Sequence, residues 1–329
     1  MPSFSIVICT YNPDLIILAR LLNAIAGFNR ESPEHEVIIV DNNSTIQLEL
    51  EVEIKDFLSR KLNSKLIHEN TPGLTAARIA GINQAKHDWI VFFDDDNEPV
   101  ADYLVAASSA IEKYAQVGAW GPGNIDVVYT DKVKSWLETK KELFQQRNED
   151  KIRYANEVSW QPFYPFGTGL IIKKEIALEY TRRVQSGRYT LSDRKGKSLA
   201  SGGDVQMVLT GIDMGFFAGS IAGLYLNHLI NSSKTTLAYL QKQQYGTASA
   251  YIKAFNQVFI NHQIKTGEVS NIKLLRTIYS LYRIQGAKLN RNDFKLLLAS
   301  KLGEVNAAVC ANDKPQPFIL KLYEKLIDA

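Results

Sequence analysis

Three adjacent carboxylates, Asp94-Asp95-Asp96, follow directly on the apolar run Trp89–Phe93. Beside a buried strand, where the effective dielectric is low, such charges repel one another strongly. A divalent cation relieves that repulsion, and Mg2+ or Mn2+ commonly bridges one or two carboxylates to the phosphates of a substrate. The plainer alternative is an acidic turn at the N-terminus of a helix; the burial implied by the preceding run favours the metal. The chain contains neither G-x-x-x-x-G-K-[ST] nor G-x-G-x-x-G, so both usual glycine-rich phosphate loops are missing. If phosphates bind, a metal must neutralise them, and this cluster is where it would be held.

The elements that position these carboxylates follow from the hydrophobic pattern. Short apolar runs recur at Phe4–Cys9, Val37–Val40, Lys65–Ile67, Trp89–Phe93 and Val117–Trp120. Between them, Leu15, Leu18, Leu22 and Ile25, and later Leu104, Ala107, Ile111 and Tyr114, recur at helical spacing. The second half of Ile46–Leu58 also reads as helix. Alternating strands and helices predict an α/β fold, a mostly parallel sheet flanked by helices. Ligands of such sheets bind beyond the carboxyl ends of the strands. There the runs empty into Thr10-Tyr11-Asn12, Asp41-Asn42-Asn43-Ser44, Glu69-Asn70 and the three aspartates.

The middle of the chain is less regular. A helix is expected over 131–147. Trp160, Phe163, Tyr164 and Phe166, with the turn Gly167-Thr168-Gly169, suit an acceptor side, since aromatic faces stack on sugar rings; a core aromatic cluster is the equal alternative. The basic stretch from Thr181 to Ser201 reads as a loop that could close over a substrate. Helical patterns dominate from about 235 onward. Residues 270–301 carry seven basic side chains against one acid, Asp293, with Leu274, Leu275, Ile278, Leu281, Tyr282 and Ile284 interleaved. Such a stretch either packs its apolar stripe on the rest of the protein or lies on an anionic membrane surface.

The succession Ser5–Asn12, Val40–Ser44, Gly73–Arg78 and Phe92–Asn97 resembles, in residues, order and spacing, the sequence blocks of family 2 glycosyltransferases. The resemblance covers about residues 4–230. It implies a Rossmann-like GT-A domain over 1–232 with a helical C-terminal extension over 233–329. It also implies inversion at the anomeric carbon, a nucleotide-diphosphate sugar donor, with UDP favoured, and a glycan or lipid-linked glycan acceptor. By resemblance, Thr10, Tyr11, Asn12, Asp41 and Arg78 hold the base and ribose. Asp95, with Asp94 beside it, faces the ribose, and Asp96 ligates Mn2+ or Mg2+. Ser201-Gly202-Gly203-Asp204 is similar to the family's acidic motif at the head of a helix, making Asp204 the base that accepts the acceptor proton. The acid that usually precedes it is missing. His228 resembles the late histidine that reaches the metal or diphosphate. The other histidines, His35, His68, His87 and His262, show no cluster in the sequence.

Composition bounds the alternatives. A net charge of +3 over 329 residues is too small to argue for nucleic acid. Two distant thiols, Cys9 and Cys310, offer neither a disulfide framework nor zinc spacing, which fits a reducing compartment. No basic n-region opens the chain and no run reaches the roughly 18 apolar residues of a membrane span. A cytoplasmic protein is expected, with the inner face of the cell membrane as a second location. A phosphatase using D-x-D would want Thr or Val where Glu98 stands. A nucleotidyltransferase would want a glycine-rich basic loop after the first strand. The remaining alternative is a catalytically silent sugar-nucleotide binding module, supported by the missing acid before Asp204.

Overall fold

The computed structural model describes residues 1–191, 193–194, 196, 199–312 and 314–328. The chain divides into two units: Met1–Arg188 with Met207–Asn231, and Tyr189–Gln206 with Ser232–Ala329.

The first unit begins with β1 (Phe4–Thr10), α1 (Leu15–Ala26), β2 (His35–Asp41), α2 (Val52–Arg60), β3 (Ser64–His68), α3 (Leu74–Gln84) and β4 (Trp89–Asp94). Each apolar run of the sequence lies inside a strand. The pairs β1/β2, β1/β4 and β2/β3 are all parallel, and their register sets Thr10 beside Asp41, Cys9 beside Asp94, and Asp41 beside His68. The polar strand ends therefore share one edge. α1 starts where the Asp14 carboxylate accepts from the amides of Ile16 and Ile17, a side-chain N-cap. It buries Ile17, Leu18, Leu21, Leu22 and Ile25. α3 rides so close on β1 that a Cβ at Gly81 would overlap the Val7 side chain.

Beyond β4 come β5 (Asn97–Pro99), α4 (Tyr103–Lys113), β6 (Val117–Tyr129), α5 (Ser135–Glu138), β7 (Arg147–Asn148), β8 (Arg153–Ala155), β9 (Leu170–Lys173), α6 (Lys174–Gln185), α7 (Gly203–Asp213) and β10 (Phe217–Ile230). The sheet order is β3-β2-β1-β4-β9-β6-β10-β5, with β7 on β6 and β8 on β10. The half from β3 to β4 is parallel. The other half is mixed: β9 runs antiparallel to β4 and β6, β6 and β10 run parallel, and β5 closes antiparallel on β10.

Two local expectations change. The helix over 131–147 is only the four residues of α5 and a 3-10 turn at Lys141–Phe144, ended by Gln145 in the left-handed region (φ 67°). The Gln146 side chain then accepts from the Val127 amide at 2.8 Å, and Arg147 pairs with β6, so sheet-edge bonds replace helical ones. The basic stretch from Thr181 is helical as far as Gln185. Arg182 and Arg183 lie in the last turn of α6, where cations are favoured, and both bond Glu179. Of the remaining basic residues there, Lys195 and Lys197 lie outside the described residues.

The second unit is built from α8 (Leu237–Val258), α9 (Asn271–Gln285), α10 (Arg291–Ala311) and α11 (Phe318–Asp328). Side-chain caps start three of them: Thr236 on the Tyr239 amide, Ser270 on Lys273, and Asn290 on Asn292 and Asp293. Tyr245, Leu274, Leu302, Leu320 and Ile327 belong to its core. Gly303 lets α10 approach α8, since a Cβ there would stand 2.5 Å from the Tyr245 carbonyl. Among the described residues no helix is long and apolar enough to cross a membrane.

Candidate active site

The three aspartates are splayed, each engaged by a different element. Thr10, at the end of β1, donates its hydroxyl to Asp95 Oδ2 at 2.6 Å. Thr168 donates to Asp94 Oδ2 at 3.2 Å. Asn97 accepts from the Asp94 amide through Oδ1 and donates to Asp96 Oδ1 through Nδ2, at 3.1 and 3.2 Å. Asp96 is the most enclosed, 4% exposed, while Asp94 and Asp95 are half-buried.

His228 reaches this turn through sheet pairing. β10 lies antiparallel to β5 with His228 opposite Asn97, and the Leu229 amide donates to the Asp96 carbonyl at 2.8 Å. The imidazole Nδ1 is 2.9 Å from the Phe144 carbonyl, and Nε2 is 3.4 Å from Asp96 Oδ2. A carbonyl can only accept, so Nδ1 carries the proton. In the neutral ring Nε2 then presents a lone pair to a carboxylate oxygen. A proton on Nε2, giving an imidazolium–carboxylate ion pair, or a metal cation can join those two atoms. Metal-ligating histidines are oriented in this way, with the far N–H tied to a carbonyl or carboxylate. Among the described residues no three His, Cys, Asp or Glu side chains gather into a metal cage. A pair of protein ligands nonetheless suits Mg2+ or Mn2+, which take other oxygens from phosphate and water.

Along the same edge, Asp41 accepts from the Ser44 amide at 3.0 Å and lies 3.3 Å from His68 Nδ1, with Glu49 3.8 Å from His68 Nε2. His68 is thus a missed neighbour of the site; strand register, not residue spacing, brings it there. Asn12, in the left-handed region (φ 49°), donates its amide to Ser44 Oγ at 2.8 Å and accepts from the Thr45 amide at 2.8 Å. Asn42, also missed, joins three backbone groups: it donates to the carbonyls of Glu69 and Thr71 and accepts from the Gly73 amide at 2.7 Å. That fixes the N-terminal end of α3, which carries the buried Arg78. Cys9 reports the local field. Burial pushes its thiol up to about 12, Arg78 pulls the other way, and Asp94 and Asp95 push further up. Tyr11 is 59% exposed, so it is no core aromatic.

The aromatic stretch differs in burial along its length. Tyr164 is fully buried, and its hydroxyl accepts from the Glu157 amide, a structural role. Trp160 and Phe166 are half-buried with centroids 6.2 Å apart, and the Arg147 guanidinium lies 4.6 Å from the Phe166 ring. Gly167 and Thr168 are buried, and Thr168 bonds the acidic cluster directly. Gly169 requires its residue type: φ is +70° and an added Cβ would stand 2.5 Å from the Tyr103 hydroxyl. Asp204 is in the first turn of α7, 7% exposed, in the part of that helix grouped with the second unit.

The family model described as Glycosyl transferase family 2 matches residues 5–180, more than half of the chain. The chain belongs to glycosyl transferase family 2. The match includes Thr10, Asp41, Arg78, the three aspartates and Thr168, and ends before Asp204 and His228. The chain is 30% identical over 116 residues to poly(ribitol-phosphate) beta-N-acetylglucosaminyltransferase TarS of Staphylococcus aureus (strain Mu50 / ATCC 700699), over 35% of this chain and 20% of the relative. It is 30% identical over 101 residues to polypeptide N-acetylgalactosaminyltransferase 11 of Xenopus tropicalis, over 30% of this chain and 17% of the relative. The matched segments thus span about a fifth of those relatives' lengths. The mannosyltransferase PcManGT from Pyrobaculum calidifontis, solved with GDP-Man and Mn2+, shares the fold at a TM-score of 0.57 and 15% identity, over 95% of this chain and 88% of that one. The fold is therefore GT-A with a helical C-terminal region, and family membership replaces the phosphatase and nucleotidyltransferase alternatives.

Proposed function

We propose that this enzyme is an inverting, metal-dependent glycosyltransferase that moves a sugar from a nucleotide-diphosphate donor, with UDP favoured, to a hydroxyl of a glycan or lipid-linked glycan. The observation that carries the reading is the Asp96–His228 pair, with Nδ1 bound to the Phe144 carbonyl and Nε2 turned to Asp96 at 3.4 Å. Mn2+ accompanies the nucleotide sugar in the PcManGT structure and UDP in that of GalNAc-T7. The UDP preference rests on that second structure and on the N-acetylhexosaminyl transfer in the relatives' names.

On this reading Asp96 and His228 hold the metal, which when bound supplies positive charge for the departing diphosphate. Thr10 fixes one oxygen of Asp95, which faces the ribose. Asp41 accepts from the base or ribose, Tyr11 offers an exposed face for stacking, and Asn12 holds the two loops together around them. Arg78 offsets the negative charge that Asp94 and Asp95 bring to the edge. Trp160, Phe166, Gly167 and Thr168 form the acceptor side. Asp204 takes the proton of the attacking hydroxyl, a contribution of roughly 10²–10⁴-fold for a positioned base. The domain limits 1–232 and 233–329 follow the same reading.

The proposed location is the cytoplasmic side, with the exposed face of α9 against the inner membrane surface. Ile272, Leu275, Tyr279 and Tyr282 form a stripe on that helix, each more than half exposed, and Lys273, Arg276 and Arg283 accompany it.

A donor screen tests the proposal. UDP-, GDP- and dTDP-sugars are offered with Mn2+, and release of the nucleoside diphosphate is scored for the wild type and Asp204→Asn. UDP-sugar turnover by the wild type, lost in Asp204→Asn while UDP binding is kept, is the expected result. Full turnover by Asp204→Asn would remove the base assignment.

A further inference from the structure

The nearness of Asp96 to His228 depends on how β5 lies against β10, and β5 by itself is a weak strand. It has three residues, about half the usual length, and stands at the end of the sheet order. Its last residue, Pro99, has no amide to give to the ladder. β10 is distant in sequence, so no hairpin turn sets the register between the two. A slip of one residue would exchange the faces of β5 and take Asn97 away from His228.

Side chains on the other face of the pair supply the missing restraint. Glu98 stands opposite Asn227, so these two share one face while Asn97 and His228 share the other. Asn227 Nδ2 donates to Glu98 Oε2 at 2.9 Å. From α1, Arg20 donates twice to the same carboxylate, Nε to Oε1 and Nη2 to Oε2, both at 2.8 Å. A bidentate pair of this kind fixes geometry as well as charge. The Glu98 side chain is 24% exposed, enclosed enough for the pair to hold its place. The carboxylate thus ties β5 to β10 and both to α1.

The restraint continues to the group that orients the imidazole. Tyr225 donates its hydroxyl to Asp126 and lies 3.3 Å from Asn227 Oδ1. The bond to Asp126 pushes the phenol up to about 12, so it keeps the proton that it donates. Gln146 Nε2 donates to Asp126 Oδ1 at 2.9 Å. Gln146 is two residues from Phe144, whose carbonyl accepts from His228 Nδ1. Side-chain contacts therefore run from α1 through β5, β10 and β6 to the segment that holds the histidine ring.

We propose that Glu98 is a positioning residue for the cation site: held by Arg20 and Asn227, it sets the register of β5 on β10 and so the approach of Asp96 to His228. The proposal rests on the metal reading of that pair. It adds a residue that touches neither metal nor substrate.

The test is Mn2+ binding to the full-length protein in the presence of UDP, read from the electron paramagnetic resonance signal of free Mn2+. Glu98→Ala should weaken Mn2+ binding about tenfold, the lower end of the loss typical for groups that orient metal ligands. Its affinity for UDP in excess chelator, which reads the nucleotide edge alone, should stay that of the wild type. Glu98→Gln keeps an oxygen for Asn227 and should recover most of the lost Mn2+ affinity. Asn227→Ala cuts the cross-strand bond, leaves Arg20 on Glu98, and should also weaken Mn2+ binding; it decides if Glu98→Ala does not fold. Wild-type Mn2+ affinity in either alanine variant, or an equal loss of UDP affinity in chelator, would overturn the proposal alone. No Mn2+ uptake by the wild type would remove the metal reading of Asp96 and His228, and the proposal with it.

Discussion

His228 donates Nδ1–H to the Phe144 carbonyl and turns Nε2 toward Asp96, so its ring is oriented before any ligand arrives. Hydrogen-bond partners that orient a metal-ligating histidine are worth about 10–100-fold in metal affinity, and loss of the ligand itself should cost at least as much. In His228→Ala, Mn2+ affinity measured by calorimetry in the presence of UDP should fall by about that factor or more, with the melting temperature little changed. Unchanged Mn2+ affinity would separate His228 from the metal. At this scale the acidic run was legible because carboxylates after an apolar run are costly without a cation. His228 was reachable only through resemblance, since its nearness to Asp96 is created by the pairing of β10 with β5. His68 was missed for the same reason: only the register Asp41–His68 brings it to the edge.

Helices and strands set how tightly that edge is held. α3 carries Arg78, and its approach to β1 depends on Gly81, where a Cβ would overlap Val7. Gly81→Ala should destabilise the protein by about 1–3 kcal/mol, the usual cost of overpacking, and Val7→Ala in the same chain should restore part of it. Denaturant melts check both; a Gly81→Ala variant as stable as the wild type would show that the helix can move away. α9 raises a different question. Its stripe of Ile272, Leu275, Tyr279 and Tyr282, beside three basic residues, should bind vesicles containing phosphatidylserine and not neutral ones, at about 1 kcal/mol per basic residue. Leu275→Glu with Tyr279→Glu should abolish sedimentation with those vesicles; equal binding to neutral vesicles would contradict the electrostatic part. Strands and the early helices were legible because apolar runs and 3.6-residue periodicity survive into the structure. The helix expected over 131–147 was not, because Gln146 and Arg147 bond to β6 and neighbouring backbone, contacts that no local periodicity records.

At the scale of the molecule, the sequence order of strands and helices foretold an α/β sheet and helical C-terminal part, and both are present. The mixed half of the sheet was not legible, since β9, β6 and β10 pair across long separations. Nor was the grouping of Tyr189–Gln206 with the C-terminal helices, which depends on packing between segments far apart in the chain. The family match ends at residue 180, so Asp204 rests on resemblance alone, and His228 on resemblance and its position beside Asp96. On the proposed reading, transfer requires a divalent cation at Asp96 and His228. The most direct measurement is UDP-sugar turnover in excess chelator, before and after Mn2+ is added back, for the wild type and Asp96→Asn. Chelation is expected to abolish turnover, Mn2+ to restore it in the wild type, and Asp96→Asn to stay inactive at all Mn2+ concentrations. Undiminished turnover in excess chelator would contradict that reading.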